Sequence, residues 1–213
     1  MRESRWQAWR SFAEAFFWTV AVVCLSSWGA IHLSGAAGAR HEMARFAAVQ
    51  AVSRFETSTP DQSLWSAARI KAWQSALNDP AQRPLGILRI PRLRIEVPIL
   101  EGTDDATLNR GVGHIEDTAP PGSDGNAGLA GHRDGFFRAL KDIAPGDAIE
   151  LQTLEGQEAY RVERTWIVDP DDVSVLDPTT NRSLTLVTCY PFYFVGSAPQ
   201  RFIVRAVVSD RTP

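Results

Sequence analysis

Residues 183–205 read SLTLVTCYPFYFVGSAPQRFIVR, and the fold turns on how they are read. Residues 184–188 are β-branched and apolar, the composition of a strand. Pro191 ends that strand, because proline has no N–H to give to a ladder. Residues 202–208 form a second strand, with an aromatic loop between the two. Paired as a hairpin, the two strands bring Cys189, at the end of the first, to Arg201, at the start of the second. Arg205 shares a face with Arg201 by the two-residue repeat but lies about 13 Å further along the strand, so Arg201 is the better partner. A nearby cation favours the thiolate, which is the nucleophilic form of cysteine. A guanidinium can also hold a developing oxyanion. The alternative is that Cys189 is a small buried hydrophobe, as many free cysteines are.

Working outward, the chain has 213 residues, a formal net charge of -3 and 44% hydrophobic residues. That length fits one globular domain with an appendage. The charge excludes a basic nucleic-acid binder. Residues 16–33, FFWTVAVVCLSSWGAIHL, are almost wholly apolar, enough for a helix that crosses a bilayer. Arg2, Arg5 and Arg10 precede them, so the positive-inside rule puts the N-terminus in the cytoplasm and the later residues outside it. The alternatives are a signal peptide cleaved after Ala37-Gly38-Ala39 and a buried core helix; the apolar run is longer than an ordinary signal core and has no polar face. With Cys24 in the span, Cys189 is a lone thiol in an oxidising compartment, where cysteines normally pair. A leftover thiol points to reactivity or to an intermolecular bridge.

Three parts follow: a cytoplasmic tail and transmembrane anchor over 1–35, a helical linker over 36–83, and a β domain over 84–213. The linker reads as two helices, roughly 41–55 and 62–77, the second with Ile70, Trp73 and Leu77 at helical spacing. Such a stripe is a packing face, so the linker reads as a spacer lying on the domain. Strands are predicted at 85–90, 93–100, 127–131, 148–151 and 157–168, with a short helix over 105–113. With the final pair they make a closed or nearly closed β-barrel. Val173 and Leu176 are the residues expected to pin the polar connection 169–182.

His132 ends the strand 127–131, where a barrel mounts a general acid/base, with Gly131 allowing close approach. A structural histidine is the alternative there. His114 follows no small-residue strand and is given a structural or rim role; His32 and His41 flank the span. No Cys/His cluster has metal-ligand spacing and no glycine loop suits phosphate, so neither metal nor cofactor is expected.

The run Thr185-Leu186-Val187-Thr188-Cys189 resembles the TLxTC signature of sortases, membrane-anchored cysteine transpeptidases. The order His132, Cys189, then an arginine at 201, behind an N-terminal anchor, is similar to the family's. Ala130-Gly131-His132-Arg133-Asp134 and Cys189-Tyr190-Pro191-Phe192 look most like class D sortases of the proteobacterial type. The resemblance covers about residues 84–209. It implies an eight-stranded barrel, an active site of Cys189, His132 and Arg201, and an inner-membrane location with the barrel in the periplasm. It also implies a substrate protein with a C-terminal LPxTG-like sorting signal, cleaved through a thioacyl enzyme that is passed to an amine acceptor. Some members bind calcium; no residue here maps onto that site.

Thr188, Tyr190, Phe192 and Tyr193, around the nucleophile, are the candidate substrate-binding residues. Phe192, Tyr193 and Phe194 either wall an apolar groove that excludes water from the thioester or form a flap over the core. Unperturbed cysteine and histidine make a thiolate–imidazolium pair a minority form, which predicts a slow enzyme. The alternatives are a signal-trimming protease without transfer, an idle signal-binding barrel, and a scaffold that uses Cys189 for an intermolecular disulfide.

Overall fold

A computed structural model describes residues 18–20, 22–23, 25–26, 59–78, 83–193 and 196–209. The chain divides into two compact units, residues 1–43 and 44–213. In the first, residues 18–20, 22–23 and 25–26 are helical and exposed. Most of the anchor expected at 16–33, and the linker helix expected at 41–55, lie outside the described residues. Among the described residues no helix is long and apolar enough to cross a membrane.

In the second unit, α1 (Ala67–Ala76) is followed by β1 (Gly86–Ile90), β2 (Ile95–Glu101), α2 (Asp105–Arg110), β3 (Val112–His114), β4 (Asn126–Ala130), β5 (Ala148–Thr153), β6 (Gln157–Val168), β7 (Ser183–Tyr190) and β8 (Gln200–Val208). Short 3-10 turns occupy Pro91–Leu93, Arg138–Asp142 and Val173–Leu176. The strands close into a barrel in the order β1-β2-β3-β4-β7-β8-β6-β5. Closure leaves no unpaired sheet edge.

The alternating strands put one side chain in two into the core. Val97 and Ile99 of β2, Ile149 and Leu151 of β5, Leu184 and Leu186 of β7, and Val204 and Ala206 of β8 meet there, all fully buried or nearly so. Each fully buried Leu or Ile is worth about 1.5–3 kcal/mol. The outer face of β4 and β7 is sealed by a polar seam. Asn126 Nδ2 donates to the carbonyls of Val175 (3.3 Å) and Asp177 (3.1 Å), and Thr185 Oγ1 donates to Asn126 Oδ1 (2.6 Å). Arg205 adds a 2.7 Å bond to the Val175 carbonyl. The connection 169–182 is thereby fastened by Val175, which is buried, while Val173, expected to pin it, is 68% exposed.

Three local expectations change. The second linker helix begins only at Ala67, because Ser66 caps it by accepting from Arg69 N, and Leu77 faces solvent. The turn expected at Pro91 is a 3-10 turn that takes in Leu93, so β2 begins at Ile95 rather than at Leu93. His114 does end a strand, the three-residue β3, which pairs parallel with β2.

Gly131 has a steric reason that the sequence did not supply. A Cβ there would stand 2.6 Å from Cδ2 of the Phe137 ring, so the close neighbour is a core aromatic. Gly131→Ala is expected to cost about 1–3 kcal/mol through overpacking. A thermal melt by circular dichroism checks this; an unchanged midpoint would mean that the Phe137 ring moves aside without cost.

Candidate active site

β7 lies between β4 and β8, and each neighbour delivers one group to Cys189. β8 runs antiparallel, with Cys189 directly opposite Arg201 and Thr185 opposite Arg205. Side chains opposed in this way have Cβ atoms about 4.5–5.5 Å apart. Arg201 is therefore the arginine at the thiol, and Arg205 belongs to the buried seam at the other end of the strand. β4 runs parallel to β7, with Ala130 opposite Val187. The pairing continues beyond the strand: Gly131 N donates to Val187 O (3.1 Å), and Thr188 Oγ1 donates to Gly131 O (2.7 Å). His132 follows at once and is carried to the same end of the barrel as Cys189.

Cys189, His132 and Arg201 all line one open cleft of about 760 Å³. Cys189 is a free, half-buried thiol. Arg201 Nη1 donates to the carbonyls of Gln200 (3.0 Å) and Ala198 (3.4 Å), which leaves its charge on the cleft without a carboxylate in that set. The His132 backbone carbonyl accepts from Gly135 N (3.2 Å) and Phe137 N (3.3 Å), so a tight turn holds the residue. Its Nε2 is buried and has no hydrogen-bond partner. Burial pushes the imidazole below its ordinary range, and the Arg69 cation adds to this; Asp134 and Asp105 oppose it.

The candidate substrate-binding residues separate. Phe192 and Tyr193 line the cleft. Tyr190 lies on an adjoining groove of about 450 Å³, with Pro191, Phe192, Tyr193 and Phe202. Phe192 is 7% exposed and packs edge-on against Tyr190 and Phe202, whereas Tyr193 is 74% exposed. The pair is thus half flap and half wall; Phe194 lies outside the described residues. Thr188 needs correction. It is 2% exposed and spends its hydroxyl on Gly131 O, because successive strand residues face opposite sides and Cys189 has the cleft side. His114 is structural: Nδ1 sits 3.0 Å from Glu101 Oε1, and Nε2 faces Thr118 Oγ1 and Ala119 O.

Sequence reading gave no role to Ser66, Arg69, Arg133, Asp134 or Arg138, which all line the cleft. Arg133 donates to the carbonyls of Pro191 (3.2 Å) and Gly196 (2.8 Å). Arg138 donates to the carbonyl of Phe192 and lies over the Tyr193 ring, 4.2 Å from its centroid. The loop after the nucleophile is thereby clasped by the turn after His132. Ser66 and Arg69, from the start of α1, also line the cleft. No pattern in the sequence marks these residues, because only the closed barrel brings the turn after His132 and the start of α1 to the cleft.

Residues 88–209, more than half of the chain, match the family described as "Sortase domain". The chain is 43% identical over 120 residues to sortase D of Bacillus subtilis, covering 56% of this chain and 61% of that relative's length. Among solved structures it is similar to the sortase D5 transpeptidase of Clostridium perfringens, with 26% identity and a TM-score of 0.55, over 66% of this chain and 89% of that one. It is also similar to sortase E1 of Streptomyces coelicolor, solved with a tripeptide in the active site, with 32% identity and a TM-score of 0.54, over 61% and 92%.

The depressed imidazole links the site to stability. Its pKa in the fold lies below the unfolded value near 6.5, so the unfolded chain takes up the proton first. The resulting stability is complete above about pH 6.5 and is lost as pH falls from there through the folded value. In urea denaturation at pH 7.5 and pH 5.5, the native chain is expected to lose more stability on acidification than His132→Gln does. Equal losses would count against the burial of this ring.

Proposed function

The chain belongs to the sortase family of cysteine transpeptidases, and from that premise we propose that it cleaves a C-terminal sorting signal and passes the acyl group to an amine. The observation that carries the reading is the pairing of Cys189 with Arg201 in the cleft that His132 also lines. In this scheme the Cys189 thiol passes its proton to His132, and the sulfur bonds to the scissile carbonyl carbon as the carbonyl π pair moves onto oxygen. Arg201 balances the negative charge that develops on the carbonyl oxygen. The C–N bond then breaks, and His132 gives its proton to the departing amine. The incoming amine attacks the thioester, His132 takes its proton, and the sulfur leaves as thiolate. A histidine disfavoured as a cation is better suited to the second proton transfer than to the first, which keeps the acylation step slow.

The finer parts of this proposal rest on the sequence. They are an LPxTG-like signal, a class D-like enzyme of the proteobacterial type, and a single-pass anchor at 16–33 within an N-terminal part over 1–35. With them go a linker over 36–83 and a barrel over 84–213 on the periplasmic side of the inner membrane. The arginines that precede the apolar run support the orientation. The partners are a substrate protein bearing the signal and an amine of the cell envelope or of a protein.

Mass spectrometry of the full chain mixed with a signal peptide is expected to show a thioacyl adduct that is absent from Cys189→Ala. Arg201→Ala is expected to lower turnover by about 10²–10³, as loss of an oxyanion donor does. No adduct with any signal peptide would overturn the reading. Added amine distinguishes transfer from trimming. Tyr193→Ser is expected to raise the hydrolysed share of product, since Tyr193 is the exposed ring at the cleft. An unchanged ratio would remove the water-excluding role from this side chain.

A further inference from the structure

The helix α1 precedes the residues that match the sortase domain, yet its first turn reaches the cleft. Two anchors hold it there. The Trp65 ring meets the Phe136 ring edge-on at 4.7 Å, and both Trp65 and Trp73 pack against the barrel core. The second anchor is polar. Arg69 Nε donates to Asp134 Oδ1 at 3.1 Å, Nη2 lies 3.0 Å from the same oxygen, and Nη1 donates to Asn109 Oδ1 of α2. The Ser66 cap fixes the helix start and hence the place of Arg69 one turn in.

Asp134 and Phe136 both belong to the turn that opens at His132. That turn is pressed between β7 on one side and α1 on the other. The contact is close: a Cβ at Gly135 would lie 3.3 Å from Arg69 Cδ and 3.5 Å from His132 Cβ. The Arg69 side chain is only 17% exposed. The guanidinium ties α1 to two neighbours, Asp134 of the His132 turn and Asn109 of α2, and so bears directly on where that turn sits.

We propose that Arg69 is a positioning residue of the active site, holding the His132 turn from outside the sortase domain and, with Asp134, setting the charge balance at the imidazole. This rests on the reading of the cleft as a transpeptidase site. The charged and titratable groups that line the cleft with His132 are Arg69 from α1, Arg133 and Asp134 from its own turn, Arg138 from the 3-10 turn, Cys189 from β7, Tyr193 from the loop after it and Arg201 from β8, and Asp105 of α2 also acts on the ring. Of these, Arg69 and Asp134 are joined to each other and act on the ring with opposite sign. Removing either one exposes the other, so the two losses have opposite consequences for His132. A contact with only a packing role has no such antisymmetry.

The test uses the full chain labelled with ¹³C-histidine. The His132 resonance, one of four, is assigned by its absence from His132→Gln. Titration by NMR is expected to raise the His132 midpoint in Arg69→Met and to lower it in Asp134→Asn, each by about half a pH unit. The double variant is expected to return near the native midpoint, and Arg69→Lys to keep it. The His132-dependent limb of the pH profile of kcat/KM moves in the same directions. Shifts of the same sign in both single variants, or no shift in either, would overturn the proposal. The NMR midpoint does not depend on turnover. A missing thioester therefore counts against the transpeptidase reading, and a midpoint that ignores Arg69 counts against this one. Should Arg69→Met fail to fold, Asp134→Asn alone still decides: an unmoved or raised midpoint rejects the charge role.

Discussion

Parallel strands cannot be joined by a tight turn, so β4 and β7 meet only after the chain has run through β5, β6 and the connection 169–182. That meeting is what the site depends on. β7 has two neighbours, one parallel and one antiparallel, and each supplies a different functional group at the same end. A slip of one residue in either ladder would turn Cys189 to the opposite face and carry it away from both partners. The register is locked at both ends by buried hydroxyls: Thr188 on the Gly131 carbonyl near the site, and Thr185 and Ser183 on Asn126 Oδ1 away from it. A buried acceptor left without its donor costs about 1–3 kcal/mol, so these bonds exclude the slipped alternatives more strongly than their number suggests.

Electrostatics at the cleft run against the chain as a whole. The protein carries a formal net charge of -3, yet four arginines and one aspartate line this opening. Arg133, Arg138 and Arg201 each donate to backbone carbonyls, neutral acceptors that hold a guanidinium in place. Such a field suits a developing negative charge on a bound carbonyl oxygen, and the Arg69 cation adds to the burial that disfavours a protonated His132.

Much of the fold was legible because period-two patterns survive in strands with one buried face. Ile95, Val97 and Ile99 announce β2, and the long alternation over 157–168 announces β6 with its observed bounds. The choice of Arg201 over Arg205 also followed from spacing alone. What stayed hidden has physical reasons. β3 is three residues long and is defined by its parallel neighbour, so no local pattern marks it. Thr188 was grouped with the nucleophile by adjacency, although adjacent strand residues face apart. Phe192 and Tyr193 are neighbours of like chemistry, and only the closed barrel shows that one enters the core while the other remains in water. Arg69 was invisible because a helix with a packing stripe gives no sign of what its polar side touches.

The two arginines that clasp the loop after Cys189 take hold of carbonyl oxygens at Pro191, Phe192 and Gly196. Every residue presents a carbonyl, whatever its side chain. Those bonds are therefore indifferent to the letters written in the loop, whereas the buried Phe192 ring and the Tyr193 ring beneath Arg138 make side-chain contacts that depend on them. Side chains facing outward between these holds are the ones that can change without loosening the segment.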